Sequence, residues 1–286
     1  MEINNYKLPE GISLTLHKPD GGDNLPAVIL CHGFCGIKEI LLPAFAQAFA
    51  KAGFAAITFD YRGFGDSEGE RGRLVPAMQI EDILTVVEWA KSQAEIDSSR
   101  IALWGTSFGG CHVFEAAAIC SDIKGVISQL AFADGEELVT GNMTAEEKTG
   151  FISTLNKMAD KKQATGKEMM VAITKVLSDE ESKTFFEMNK VRYPQMDIKI
   201  PFLTVRETLL YKPAASARQV TCPVLVVIAG SDSVNPPEQG RALFDAVAAE
   251  NKQLYVEEQA RHYDMYSGQH FDNVIRVQID WLHTWL

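Results

Sequence analysis

Ser107 lies at the centre of Gly105-Thr-Ser-Phe-Gly109, and the residues on either side decide what that serine could do. Ile101-Ala-Leu-Trp104 is an apolar run of strand length, and Cys111 to Ile119 reads as a helix. Strand, tight turn and helix together lift a serine hydroxyl clear of a sheet edge, where it can attack a carbonyl carbon. The flanking glycines have a steric reason. A Cβ at either position would collide with the neighbouring strand or helix.

A serine hydroxyl is a weak nucleophile. It needs a base within hydrogen-bond reach, and the base needs a group that orients it. The chain has six histidines. His17 falls in the N-terminal strand region, His32 precedes the serine, and His112 is on the helix after it. His270 and His283 belong to the C-terminal loop and helix. His262, in Gln259-Ala-Arg-His-Tyr-Asp264, follows the strand Gln253 to Glu257 and is the predicted base. The run Val224 to Ala229 leads into Gly230-Ser-Asp232, and Asp232 is the one carboxylate of that loop before Glu238. It is the predicted orienting acid, with a turn or helix-capping role as the alternative. Asp264 is a weaker rival, too close to His262 in sequence for a stable orienting contact.

Attack on a carbonyl creates an oxyanion that needs fixed donors. The backbone N–H of Phe108, directly after the serine, is one. The loop Cys31-His-Gly-Phe-Cys-Gly36 supplies the other at the Phe34 N–H, with Gly33 allowing a sharp turn. His32 is expected to bond loop backbone rather than take part in chemistry. In Asp60-Tyr-Arg-Gly-Phe-Gly-Asp-Ser67, Arg62 and Asp66 are expected to form a structural ion pair. No Gly-x-x-x-x-Gly-Lys pattern occurs there, so phosphate cradling is not expected.

The elements that must position these residues alternate. Strands are predicted at Val28–Cys31, Phe54–Phe59, Gly125–Leu130 and the three runs above. Helices are predicted at Leu41–Ala52, Val75–Ala94, Pro237–Ala249 and Asp272–Leu286. Continuous apolar strands between helices predict a mostly parallel, doubly wound α/β sheet covered on both faces, with ligands beyond the strand ends. Residues 134–211 interrupt the alternation. Helix-like stretches at Thr144–Lys161, Lys167–Leu177 and Asp179–Val191, without strand signals, predict a helical cap inserted into a core of 1–133 and 212–286. Thr144 and Glu147 form a capping-box pattern. Met158, Met169, Met170 and Met188 are expected to line a pocket or to form the cap's own core. Phe151, Phe185, Phe186 and Phe202 hint at an apolar or aromatic acyl group in the substrate.

The chain has 286 residues and a net charge of −11, which argues against nucleic acid or an anionic membrane surface as partner. No apolar run is long enough to span a membrane. Five scattered cysteines, mostly in apolar runs, suit free thiols in the cytoplasm. Cys31 and Cys35 lack a second ligand pair, so no metal is expected, and no cofactor motif occurs. The apolar C-terminus, Trp285-Leu286, is expected to pack on the core or on a second copy in a homodimer.

Taken together, His32-Gly33-Phe34, Asp60-x-Arg-Gly-x-Gly-x-Ser67, Gly105-x-Ser107-x-Gly109, Gly-x-Asp232 and His262 resemble the α/β-hydrolase superfamily in order and spacing. The Arg-Gly-Phe-Gly-Asp-Ser-Glu-Gly and His-Tyr-Asp-Met-Tyr segments are similar to its esterase branch, with dienelactone-hydrolase relatives and polyketide-pathway hydrolases. The resemblance implies a Ser-His-Asp triad and a mobile cap over an acyl pocket. A serine hydrolase of esters or thioesters is the expected function. Acyl transfer or carbon–carbon cleavage with the same residues is the alternative, and a non-catalytic binding protein on the same scaffold is the third reading. The region before Val28 is shorter than the family's usual opening hairpin, which predicts a missing edge strand.

Overall fold

The computed structural model describes all 286 residues. The chain runs β1 (Glu2–Lys7), β2 (Ser13–Lys18), β3 (Leu25–Cys31), α1 (Leu42–Lys51), β4 (Ala55–Phe59), α2 (Pro76–Lys91), β5 (Ile96–Thr106), α3 (Phe108–Ile119) and β6 (Ile123–Gln129). Then come α4 (Gly135–Thr140), α5 (Ala145–Thr165), β7 (Met170–Ala172), α6 (Glu180–Arg192), β8 (Lys199–Pro201), α7 (Thr204–Leu210) and α8 (Pro213–Ala217). It closes with β9 (Val224–Ala229), α9 (Pro237–Ala246), β10 (Lys252–Glu257) and α10 (Gly268–Trp285).

Eight strands form one sheet in the order β1-β2-β4-β3-β5-β6-β9-β10. β1 and β2 are antiparallel to each other, and β2 is antiparallel to β4. Every other pairing in this sheet is parallel. Side chains alternate across a strand, so each apolar run feeds two cores. In β9, Val224, Val226 and Ile228 join the core shared with α2 and α3. Leu225, Val227 and Ala229 join the core shared with α1 and α10, where Phe45 lies 4.7 Å from Trp104 between ring centroids.

The expectation of a missing edge strand is corrected. β1 and β2 form a complete hairpin, and β2 is an interior strand paired on both sides. Leu14 and Leu16 are fully buried there. The hairpin is compact because Gly11 turns at φ 81° only two residues before β2 begins.

Residues 134–211 lie between β6 and β9. Their ends are tied together, because Gly135 N–H donates to Tyr211 O and Ala214 N–H donates to Ala133 O. The capping box at Thr144 and Glu147 is formed at the start of α5. The helix expected at Lys167–Leu177 is not. Gly166, at φ 68°, ends α5, and β7 pairs antiparallel with β8 before a single 3-10 turn at Ile173–Lys175. β8 in turn rests on the glycine-rich loop after β4, where a Cβ on Gly72 would lie 2.3 Å from Lys199 O. This pairing partner lies beyond α6, so the local sequence of β7 alone does not announce a strand.

Candidate active site

Ser107 is the single residue between β5 and α3, and it holds φ 54° and ψ −119°. That left-handed backbone is strained for a side-chain-bearing residue and turns the chain abruptly from strand to helix. It is possible because both neighbours along the motif are bare. A Cβ on Gly105 would lie 2.2 Å from Gly109 O, and one on Gly109 would lie 2.2 Å from Cys31 O.

The loops after β9 and β10 meet beside this turn. His262 Nδ1 donates to Asp232 Oδ2 at 2.7 Å, and the two residues are 2% and 5% exposed. The other Asp232 oxygen accepts the backbone N–H groups of Val234 and Asn235, both at 2.8 Å. With its Nδ1 proton directed at a carboxylate, a neutral His262 ring presents Nε2 as an acceptor. Ser107 Oγ itself accepts a hydrogen bond from Asn235 Nδ2 at 3.3 Å. The Phe34 and Phe108 amides donate to no protein acceptor. Phe108 opens α3, so its N–H is one of the helix's unpaired first-turn donors. The Phe34 and Phe108 rings meet edge to face at 5.8 Å.

Ser107, His262 and Phe34 line one cavity of about 570 Å³. Phe151, Phe185, Phe186 and Phe202 from the segment 134–211 line it as well, together with Met143. The four expected methionines do not. Met169, Met170 and Met188 are exposed to solvent, which overturns both readings of them, and Met158 also lies outside the cavity.

The family model "Serine aminopeptidase, S33" (Hydrolase_4) matches residues 22–266. This chain belongs to that α/β-hydrolase family. A protein of Escherichia coli described as "Uncharacterized 31.7 kDa protein in traX-finO intergenic region" is 64% identical, over 98% of both chains. The quorum-quenching protein AidA of Acinetobacter baumannii is 30% identical, over 94% of this chain and 90% of its own. The thiohydrolase aneE of Aspergillus aculeatus is 28% identical, over 91% and 85%. Among solved structures, DcsB in complex with its substrate analogue superposes with a TM-score of 0.83 at 25% identity, covering 100% of this chain and 99% of its own.

In this α/β hydrolase the segment 134–211 is held down on both loops that carry Asp232 and His262. Glu181, in the first turn of α6, accepts from Tyr263 N–H at 3.1 Å and from Ser233 Oγ–H at 3.2 Å. Tyr263 OH donates to Ser182 Oγ, and the Tyr263 ring stacks on Phe185 at 4.3 Å. Tyr266, from the same loop, shares a 2.5 Å hydrogen bond with Thr106, the residue before Ser107.

His32 and His112 are also buried in the hydrolase and held neutral. His32 Nε2 donates to Ile40 O at 2.9 Å, as expected for a loop-bracing role, and burial pushes its pKa down to about 4. His112 sits between Gln79 Oε1 and Tyr211 OH, and burial pushes its pKa down to about 3. The expected Arg62–Asp66 pair is corrected. Arg62 reaches Asp82 and Glu81 on α2, whereas Asp66 pairs with Lys38 at 2.8 Å. Lys38 also holds the fully buried Asp60 at 2.9 Å, so its ammonium fills the space among Glu39, Asp60 and Asp66 that a cation would occupy. Asp264, the weaker rival for the acid, is engaged by Arg261. Asn235, Tyr263 and Tyr266 escaped the sequence reading. Asn235 carried one usable signal, its place three residues after Asp232 and directly before Pro236-Pro237.

Proposed function

We propose that this protein cleaves a carboxylic ester or thioester through an acyl-enzyme on Ser107. The observation that carries the reading is the cavity in which the strained Ser107 turn opens beside a His262 ring held on Asp232. His262 Nε2 takes the Ser107 proton as Oγ bonds to the acyl carbon. The carbonyl electron pair moves onto its oxygen, which sits between the free N–H groups of Phe34 and Phe108. As the intermediate collapses, His262 returns the proton to the departing alcohol or thiol. Water, deprotonated by the same ring, then releases the acid. Without substrate, Ser107 Oγ keeps its hydrogen bond from Asn235 and makes no direct one to His262. Such contacts tighten when substrate binds.

The segment 134–211 acts as a cap on a core of 1–133 and 212–286. Its aromatic contribution to the cavity favours an apolar or aromatic acyl group, and the thiohydrolase relative favours a thioester bond. The same cover supports acyl transfer as a second reading, since excluding water lets an alcohol or amine compete for the acyl-enzyme. The test is turnover of p-nitrophenyl esters, acyl thioesters and anilides of graded chain length by wild type and Ser107→Ala. The proposal expects ester or thioester turnover that the substitution abolishes. Turnover that survives in Ser107→Ala, or amide cleavage alone, contradicts it.

A further inference from the structure

We propose that Asn235 is a catalytic residue whose side-chain amide holds the Ser107 hydroxyl and stabilises the charge that builds on Oγ as its proton leaves. This rests on the Ser107 reading above.

The orientation of the amide is fixed by its neighbours. A backbone carbonyl only accepts, and Asn235 faces Leu130 O at 2.6 Å, so the group there is Nδ2. The same NH2 group reaches Ser107 Oγ at 3.3 Å. Both of its protons are therefore assigned, one to the carbonyl and one to the nucleophile. Leu130 holds a left-handed φ of 56° at the end of β6, an unusual backbone to find bonded to this side chain. Asn235 is also anchored from behind, because its own N–H donates to Asp232 Oδ1 at 2.8 Å. One residue thus bridges the orienting acid and the nucleophile, and it is only 6% exposed.

The direction of these bonds matters. Ser107 Oγ accepts from Asn235, so its own proton remains available for His262 Nε2, which is an acceptor. During attack the Ser107 O–H bond breaks, the proton goes to Nε2, and the Oγ–carbon bond forms. Asn235 gains and loses nothing. Its N–H faces an oxygen whose charge is greatest while the proton is in transit and falls once Oγ has become an acyl oxygen. The contact is therefore stronger in the transition state than before or after it, which is what accelerates a step. In a site this dry, a donor to a developing anion is worth more than in water.

The experiment is the second-order rate of fluorophosphonate labelling against pH for wild type, Asn235→Leu and Asn235→Asp, with melting temperatures alongside. Asn235→Leu keeps the bulk and loses the donor, and labelling slows about 10- to 100-fold. Asn235→Asp keeps the shape. Its carboxyl faces Ser107 Oγ and Leu130 O with Asp232 close behind, so it is protonated and still donates in acid. It becomes a repelling anion as pH rises. Its profile gains a descending alkaline limb absent from wild type, which a merely structural role would not produce. Where Asn235→Leu fails to fold, that limb alone decides. A folded Asn235→Leu labelled within twofold of wild type, or an Asn235→Asp profile of wild-type shape, overturns the role of Asn235. A wild type that is not labelled at all removes the serine reading itself, and this inference with it.

Discussion

Replacing Asp232 by Asn exchanges one oxygen for NH2 at nearly constant size, and the surrounding bonds dictate which oxygen is lost. Oδ1 accepts two backbone N–H groups, from Val234 and Asn235, at 2.8 Å each. Turning the new NH2 toward them would forfeit both bonds and leave donors facing donors. At about 1–3 kcal/mol for each buried polar group left unpaired, that orientation lies roughly 2–6 kcal/mol higher. The oxygen therefore stays on the backbone, and the NH2 meets His262 Nδ1. The ring must then accept at Nδ1 and carry its proton at Nε2, so it cannot take a proton from Ser107. Reaching the productive tautomer requires the disfavoured amide orientation, which slows acylation by about 10²- to 10⁴-fold. The assay is the fluorophosphonate labelling rate together with p-nitrophenyl ester turnover, with a melting curve to show that the fold is kept. A folded Asp232→Asn variant within fivefold of wild type would refute the reasoning.

Three further outcomes follow from the same contacts. Gly109→Ala brings a Cβ to 2.2 Å from Cys31 O and 2.4 Å from His32 O, both backbone. It should destabilise by about 3 kcal/mol or prevent folding, as read from urea midpoints. Glu181→Ala removes the acceptor that ties α6 to Tyr263 and Ser233. Because Glu181 is partly exposed, KM should rise severalfold with little change in melting temperature, and amide exchange in α6 should quicken. His112 has its pKa pushed down to about 3 by burial, below an unfolded value near 6.5, so its stabilising contribution is present above that value and is lost as pH falls. Between pH 6 and 4 the stability advantage of wild type over His112→Gln should shrink by about 1.4 kcal/mol per pH unit in urea titrations.

What could be read without coordinates was local in character. β5, Ser107 and α3 are contiguous, and their apolar run, glycines and helix fall inside one short window. Asp232 and His262 were legible because each follows an apolar strand directly, and strand ends converge in a parallel sheet. What was missed depends on partners far along the chain. β7 is a strand only because β8 lies beside it. Arg62 turns to Asp82 rather than Asp66 because α2 packs over its loop, which leaves Asp66 to the ammonium of Lys38. Met169, Met170 and Met188 face solvent, and the insert lines the cavity beside Ser107 with Phe151, Phe185, Phe186 and Phe202 together with Met143. Asn235 acts across strands, on Leu130 and Ser107, and no pattern within its own loop encodes that reach.

The most direct test of the central claim is mass spectrometry of the protein after treatment with a fluorophosphonate. The account predicts a single adduct, on the peptide that carries Ser107, and none in Ser107→Ala. A folded wild type that stays unmodified, or an adduct that persists when Ser107 is gone, would contradict it.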